Sequence, residues 1–188
     1  MTPRLFTILA LLVPQVAIAQ QLPFDRSAIN RYSLDGVPRS ISIRQGADVW
    51  LGYDLERATL LKVWRAPEGE TGLEGAFTVK SVGEALFEDK SKDGWTWNGE
   101  PVTIRYLGCS EADSHFELRW ELKKGTRKLQ LTERVPTSTS EVRELKVEGL
   151  ENGESLTLPV AAGTAWKTKS GKAAKEISGS QWIRITLS

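Results

Sequence analysis

Polar and apolar residues alternate along most of this chain with a period of two. The pattern covers residues 39–44, part of 49–53, and then 60–64, 76–82, 102–106 and 115–122. It continues through residues 128–135, 142–147 and 182–187. Successive side chains of a strand point to opposite faces, so this period predicts strands with one face buried. The runs are short and are separated by turn residues: Asp35-Gly36, Gln45-Gly46, Gly72, Gly94, Gly125, Asn152-Gly153 and Gly171. Such punctuation predicts an all-β fold, an antiparallel β-sandwich of about ten or more short strands. No segment after the leader carries the stripe of a substantial helix, and no internal repeat is visible. Residues 164–179 are rich in Lys, Ala, Ser and Gly, and read as a mobile loop between two late strands.

One hairpin can be read in detail. Residues 115–122 and 127–135 flank Lys123-Lys124-Gly125-Thr126. A four-residue loop sets Leu122 opposite Arg127, Trp120 opposite Leu129 and Leu118 opposite Leu131. These form an apolar face. Glu117, Arg119, Glu121 and His115 fall on the polar face, with Glu121 opposite Lys128 and Glu117 opposite Thr132. The same register puts Glu133 on the apolar side, opposite Phe116.

The N-terminus departs from this pattern. Arg4 precedes a short apolar run at residues 5–13, Pro14 interrupts it, and Ala17-Ile18-Ala19 ends it with small residues. This is the layout of a secretory signal peptide over residues 1–19, cleaved after Ala19. The run is shorter than the roughly 20 residues of a membrane span. A periplasmic or secreted single domain over residues 20–188 is expected. Cys109 is the only cysteine, which excludes an internal disulfide, a lipid anchor at a first mature cysteine, and covalent haem through Cys-x-x-Cys-His. It follows an apolar run and reads as a small buried residue, with Glu111 and Asp113 disfavouring a thiolate. The chain has 25 basic and 24 acidic residues. This balance gives no electrostatic drive toward nucleic acid or an anionic membrane.

Seven tryptophans either fill a sandwich core or make platforms for sugar rings. Trp95 and Trp97 are the candidate ligand-binding pair, because alternate residues of an extended chain share a face. Exposed, they stack on a sugar or a partner's side chain; buried, they are packing. They lie within Asp89-Lys-Ser-Lys-Asp-Gly-Trp-Thr-Trp-Asn-Gly-Glu100, which places oxygen ligands and a glycine as a calcium loop does. Lys90 and Lys92 dilute the charge and a strand follows, so a solvated hairpin loop without metal is expected. His115 is the lone histidine, on a charged face. Glu133 on an apolar face costs free energy unless paired. It either has a raised pKa, as catalytic acids do, or meets water or an arginine such as Arg143. No Gly-x-Ser-x-Gly elbow or phosphate loop is present, and no cofactor is implied.

Several strand positions resemble a known module: Ile41-Ser-Ile-Arg44, Tyr53-Asp-Leu-Glu-Arg57, Leu61-Lys-Val-Trp-Arg65, Ile104-Arg-Tyr-Leu-Gly108 and Phe116-Glu-Leu-Arg-Trp-Glu121. Over about residues 38–158 the chain is similar to a β-sandwich module found beside c-type cytochrome domains in large exported proteins of planctomycete-like bacteria. The resemblance implies an exported sandwich with the broad concave sheet of galactose-mutarotase-like folds, and no catalytic motif. The function expected is a non-catalytic exported binding or interaction module. Its partner is a carbohydrate, the favoured ligand class, or another exported protein. The competing classes are a sugar-active enzyme using Glu133 and His115, and a structural or assembly domain.

Overall fold

The computed structural model describes residues 28–91, 93–139, 141–159, 166–169 and 176–187, with the backbone alone for 28–32. The expected signal segment lies outside the described residues. Strands β1 (Ala28–Leu34), β2 (Val37–Gln45), β3 (Val49–Asp54), β4 (Thr59–Arg65), β5 (Leu73–Glu74), β6 (Thr78–Ser81) and β7 (Glu84–Glu88) form one sheet, in the order β5-β6-β1-β2-β3-β4-β7. Strands β8 (Thr96–Trp97) and β9 (Glu100–Pro101) begin a small four-stranded sheet. Strands β10 (Thr103–Ala112), β11 (His115–Lys124), β12 (Arg127–Pro136) and β13 (Val142–Glu148) build a six-stranded sheet. Of the last four, β14 (Leu156–Thr157) and β16 (Glu176–Ile177) join the small sheet. β15 (Trp166–Thr168) and β17 (Ile183–Leu187) join the large one. Pairing is antiparallel throughout except between β1 and β6. The described chain is therefore an all-β, sandwich-like fold without a helix.

The core sits where the two large sheets face each other. Ile41, Ile43, Val49, Leu51, Tyr53 and Val63 come from the first sheet, and Leu118, Trp120, Leu122, Leu129, Leu131, Leu145 and Val147 from the second. Strand β11 alternates half-buried and buried positions over residues 115–122, the two-faced pattern read from its sequence. Gln45 ties the sheets at one end: its side-chain amide donates to the carbonyls of Pro136 and Val142, at 2.9 and 2.8 Å.

The seven-stranded sheet curls. Strands β6 and β7 stand near its opposite ends, yet only Val82 and Gly83 separate them in sequence. The curl closes where Lys62 on β4 donates to Ser81 on β6 at 2.5 Å and to Asp35 at 3.2 Å. Inside it lies a second apolar cluster of Leu34, Trp50, Leu61, Trp64, Ala66, Leu73 and Val79. Trp50 and Trp64 stack at its centre, 6.0 Å apart and nearly parallel. Trp50 lies on β3 and Trp64 on β4, both turned away from the first cluster. Burying them takes the β5–β6 hairpin, which folds back across them.

Two expectations are corrected here. The hairpin of β11 and β12 turns in two residues, not four: Lys124 pairs with Arg127, so Trp120 faces Leu131 and Leu122 faces Leu129. Gly125 takes φ of +60° while Thr126 stays out of the left-handed region. This is the II′ pattern, whose twist matches that of the flanking strands. The register moves by two, so every partner changes and no face does; Glu133 meets Leu118 instead of Phe116. The loop expected over residues 164–179 contains strands β15 and β16. Trp166 and Ile177 are buried within it. Strands of two or three residues are too short to show a period, and the polar composition around them hid both anchors.

Candidate functional site

The strongest concentration of chemistry lies in the core. Alternation along β12 turns Glu133 inward with Leu131 and Val135, where it is wholly buried. Its neighbour strand β13 turns Arg143 inward, and β3 of the facing sheet turns Tyr53 inward. Arg143 grips both carboxylate oxygens, Nε to Oε1 at 2.6 Å and Nη2 to Oε2 at 2.8 Å. The Tyr53 hydroxyl donates to Oε1 at 2.5 Å from the opposite sheet. The Arg143 guanidinium also lies 4.9 Å from the centre of the Trp166 ring.

Burial by itself lowers the Arg143 guanidinium. The charge and hydrogen bonds of Glu133 outweigh it and hold the guanidinium above its ordinary value. Burial, reinforced by the carboxylate, raises the Tyr53 hydroxyl well above the ordinary tyrosine value. Of the readings open for Glu133, the arginine partner is the one realised. A bidentate ion pair with a third donor satisfies a buried carboxylate. The carboxylate is wholly buried, so the acceptor site left on Oε2 is not open to solvent.

His115 does not join it. Leu118 is the cross-strand neighbour of Glu133, and His115 lies an odd number of residues from Leu118, so it occupies the other face of the sheet. There its Nδ1 lies 3.2 Å from the Ser114 hydroxyl. That outer face is a lattice of ion pairs: Arg105 and Lys128 on Glu121, Arg134 on Glu117, and Arg184 on Glu144. Trp182 is half-buried, and Arg134 covers its ring at 4.0 Å. The acid and base paired in the enzyme reading therefore face away from each other.

Trp95 and Trp97 share a face, as expected, but it is the core face; each is 2 % exposed. Trp95 donates to the Ala58 carbonyl at 2.9 Å, and Arg127 stacks 4.7 Å from the Trp97 ring centre. Buried in this way, the pair has no open ring for a sugar, which corrects the platform expectation. Asp89 in the same loop is buried and already engaged, by the Ser91 amide at 2.9 Å and by Arg57 at 3.4 Å. The loop runs into β8 and β9, not a helix. No group of carboxylates, histidine and cysteine that could hold a metal occurs among the described residues. Excess calcium is therefore expected to leave the melting temperature where excess chelator does. A rise with calcium that Asp93→Ala abolishes would contradict this, because a ligand of the native state must stabilise it.

Two other clusters gather polar side chains. Ser81, Lys62 and Asp35 resemble a serine–lysine dyad, but Lys62 is ion-paired with Asp35, and an ammonium has no lone pair to take a hydroxyl proton. A cleft of about 530 Å³ bordered by Glu151, Glu154 and Glu176 has two of its carboxylates bound by Arg127. Burial pushes the half-buried Cys109 thiol up to about 11, which suits the inert role read for it. Two large apolar side chains among the described residues stand exposed: Phe77 at 92 % and Leu107 at 44 %. Sequence reasoning missed both, because each sits inside or beside a strand-like run and looks like a core residue.

Comparison with known proteins returns nothing: no protein-family model, curated protein or solved structure matches the chain.

Proposed function

We propose that this chain is a non-catalytic interaction module, exported to the periplasm or cell exterior, whose partner is a protein. Phe77 carries the reading. A phenylalanine standing 92 % exposed on a short, hydrogen-bonded hairpin gains nothing for the fold. A rigid aromatic that enters a partner's pocket is a common binding hot spot. The choice of protein over carbohydrate rests on the rings: Trp95 and Trp97 are buried, and Arg134 covers Trp182. The enzyme alternative loses its support with Glu133 closed in its ion pair. The export half of the proposal stands on residues 1–19 and accords with the resemblance of residues 38–158 to an exported sandwich.

A photoreactive phenylalanine analogue at position 77, in cells exporting the chain, is expected to give a protein adduct on irradiation. The purified chain is expected to be silent on a glycan array and in sugar hydrolysis and mutarotation assays. No adduct from a folded, exported chain overturns the proposal, as does turnover of a sugar.

A further inference from the structure

The β5–β6 hairpin is joined to its sheet by few bonds. Strand β5 has β6 as its neighbour and ends the sheet. Strand β6 pairs with β1 over two positions, Ser33 with Thr78 and Leu34 with Val79. The Asp35 amide adds a bond to the Val79 carbonyl at 2.9 Å. The hairpin closes its own base separately, where the Val82 amide donates to the Gly72 carbonyl at 3.0 Å. Gly72 and Gly83 flank that base with φ of +75° and +130°, values that glycine adopts without strain. Both lie tight against the strands beneath. A side chain on Gly72 would strike Trp50 and Ala66, and one on Gly83 would strike the Arg65 carbonyl. The hairpin is thus one unit with two glycine pivots at the same end.

The hairpin covers the stacked rings of Trp50 and Trp64, in a cluster separate from the core between the two large sheets. Leu73 and Val79 of the hairpin are buried in that cluster. The Trp64 indole donates to the Gly72 carbonyl at 2.7 Å. The Trp50 indole N–H is buried with no partner among the described residues. A buried donor without a partner costs its lost hydration, so the cover is weakened beside its own pivot. A group of charged bonds offsets this at the other end of β6. The Ser81 amide and hydroxyl donate to the Asp35 carboxylate at 2.9 and 2.7 Å. Lys62 donates to both side chains. Ser81 belongs to the hairpin, whereas Asp35 follows β1 and Lys62 lies on β4. Bonds to charged groups of this kind are the stronger ones.

We propose that the β5–β6 hairpin is a hinged strap, latched by Asp35, which lifts as a unit from Trp50 and Trp64 while the core between the large sheets stays folded. Such local opening, below the energy of global unfolding, occurs where a segment rests on few contacts. Lifting parts the Ser81–Asp35 bonds, the two bridges to β1 and the apolar contacts of Leu73 and Val79. It keeps the hairpin's own ladder and gives the Trp50 N–H to water. Phe77 travels with the strap, so the latch sets where that ring stands. The strap is a property of this chain alone and holds whether or not Phe77 meets a partner.

Hydrogen exchange of the indole N–H groups, followed by NMR on the purified chain, tests this. Trp50 and Trp64 lie under the strap, while Trp120 is equally buried between the large sheets. In the wild type, Trp50 and Trp64 are both expected to exchange well before Trp120. Asp35→Asn removes the charge of the latch and keeps a residue that tolerates the φ of +50° found there. It is expected to speed Trp50 and Trp64 at least about tenfold, the scale of losing a hydrogen bond to a charged group. Ser81→Ala takes its place if that variant does not fold. Leu129→Ala, in the main core, is the converse test. It is expected to speed Trp120 at least about tenfold, since a buried leucine truncation costs more than that factor. Trp50 and Trp64 should hold their wild-type rates, because lifting the strap leaves Leu129 packed. Val147→Ala, a smaller truncation in the same core, serves if Leu129→Ala does not fold. One shared rate for all three indoles in the wild type overturns the inference. So does a core variant that speeds all three alike, or a latch variant that leaves Trp50 and Trp64 unchanged. A position-77 adduct together with any of these results would leave the interaction module standing and sink the strap alone.

Discussion

Replacing Arg143 with methionine is expected to cost about 3–5 kcal/mol of folding free energy, the usual result of leaving a buried charge without its partner. In a domain of this size that is a fall in melting temperature on the order of 10 °C. Arg143 supplies both strong bonds to a carboxylate that is wholly buried. With it gone, Glu133 retains the Tyr53 hydroxyl and must take up a proton or draw water into the core. Replacing both partners is a different experiment. Glu133→Leu with Arg143→Met and Tyr53→Phe removes every polar group of the cluster, and is expected to recover most of the lost stability, since apolar replacements of buried ion pairs are often neutral or better. Equilibrium denaturation of both variants gives the answer. A single variant within about 0.5 kcal/mol of wild type, the range of ordinary surface changes, would mean that water reaches Glu133.

This cluster also marks how far the sequence could be read. Alternation along β12 forced Glu133 onto the apolar side, and an inward carboxylate needs a partner, so its problem and the arginine that solves it were visible. Tyr53 was not, because it arrives from the other sheet, and nothing local to β3 encodes which strand will lie across the core. The same limit explains Trp95 and Trp97. Their common face followed from spacing, but whether that face meets water depends on β14 pairing with β8 some sixty residues later in the chain. Phe77 failed in the opposite direction. Its apolar character fits the strand pattern of residues 76–82, and only the fold shows that the strand begins after it, at Thr78.

Trp120→Ala is expected to cost about 3–5 kcal/mol, the range for deleting a large buried aromatic, while Arg119→Ala beside it stays within about 0.5 kcal/mol. Trp120 is fully buried between the sheets. Its indole nitrogen donates to the Leu55 carbonyl at 3.1 Å, and the Tyr106 ring packs 5.8 Å away. Truncation opens a cavity, strands the Leu55 carbonyl and loosens the contact with the loop that follows β3. Arg119 points the other way, 42 % exposed at its side chain, with a 3.8 Å approach to Glu117. An exposed pair of that kind contributes little. The contrast tests orientation in a way that neither variant does alone. Because the register change between four-residue and two-residue turns is an even number, it leaves both expectations standing. Only an odd slip exchanges the faces of a strand. If Arg119→Ala proved the damaging change and Trp120→Ala the harmless one, β11 would be turned over. His115 and Glu117 would then lie inside the sandwich, on the same side as Glu133, and the acid–base reading would regain the geometry it lacks.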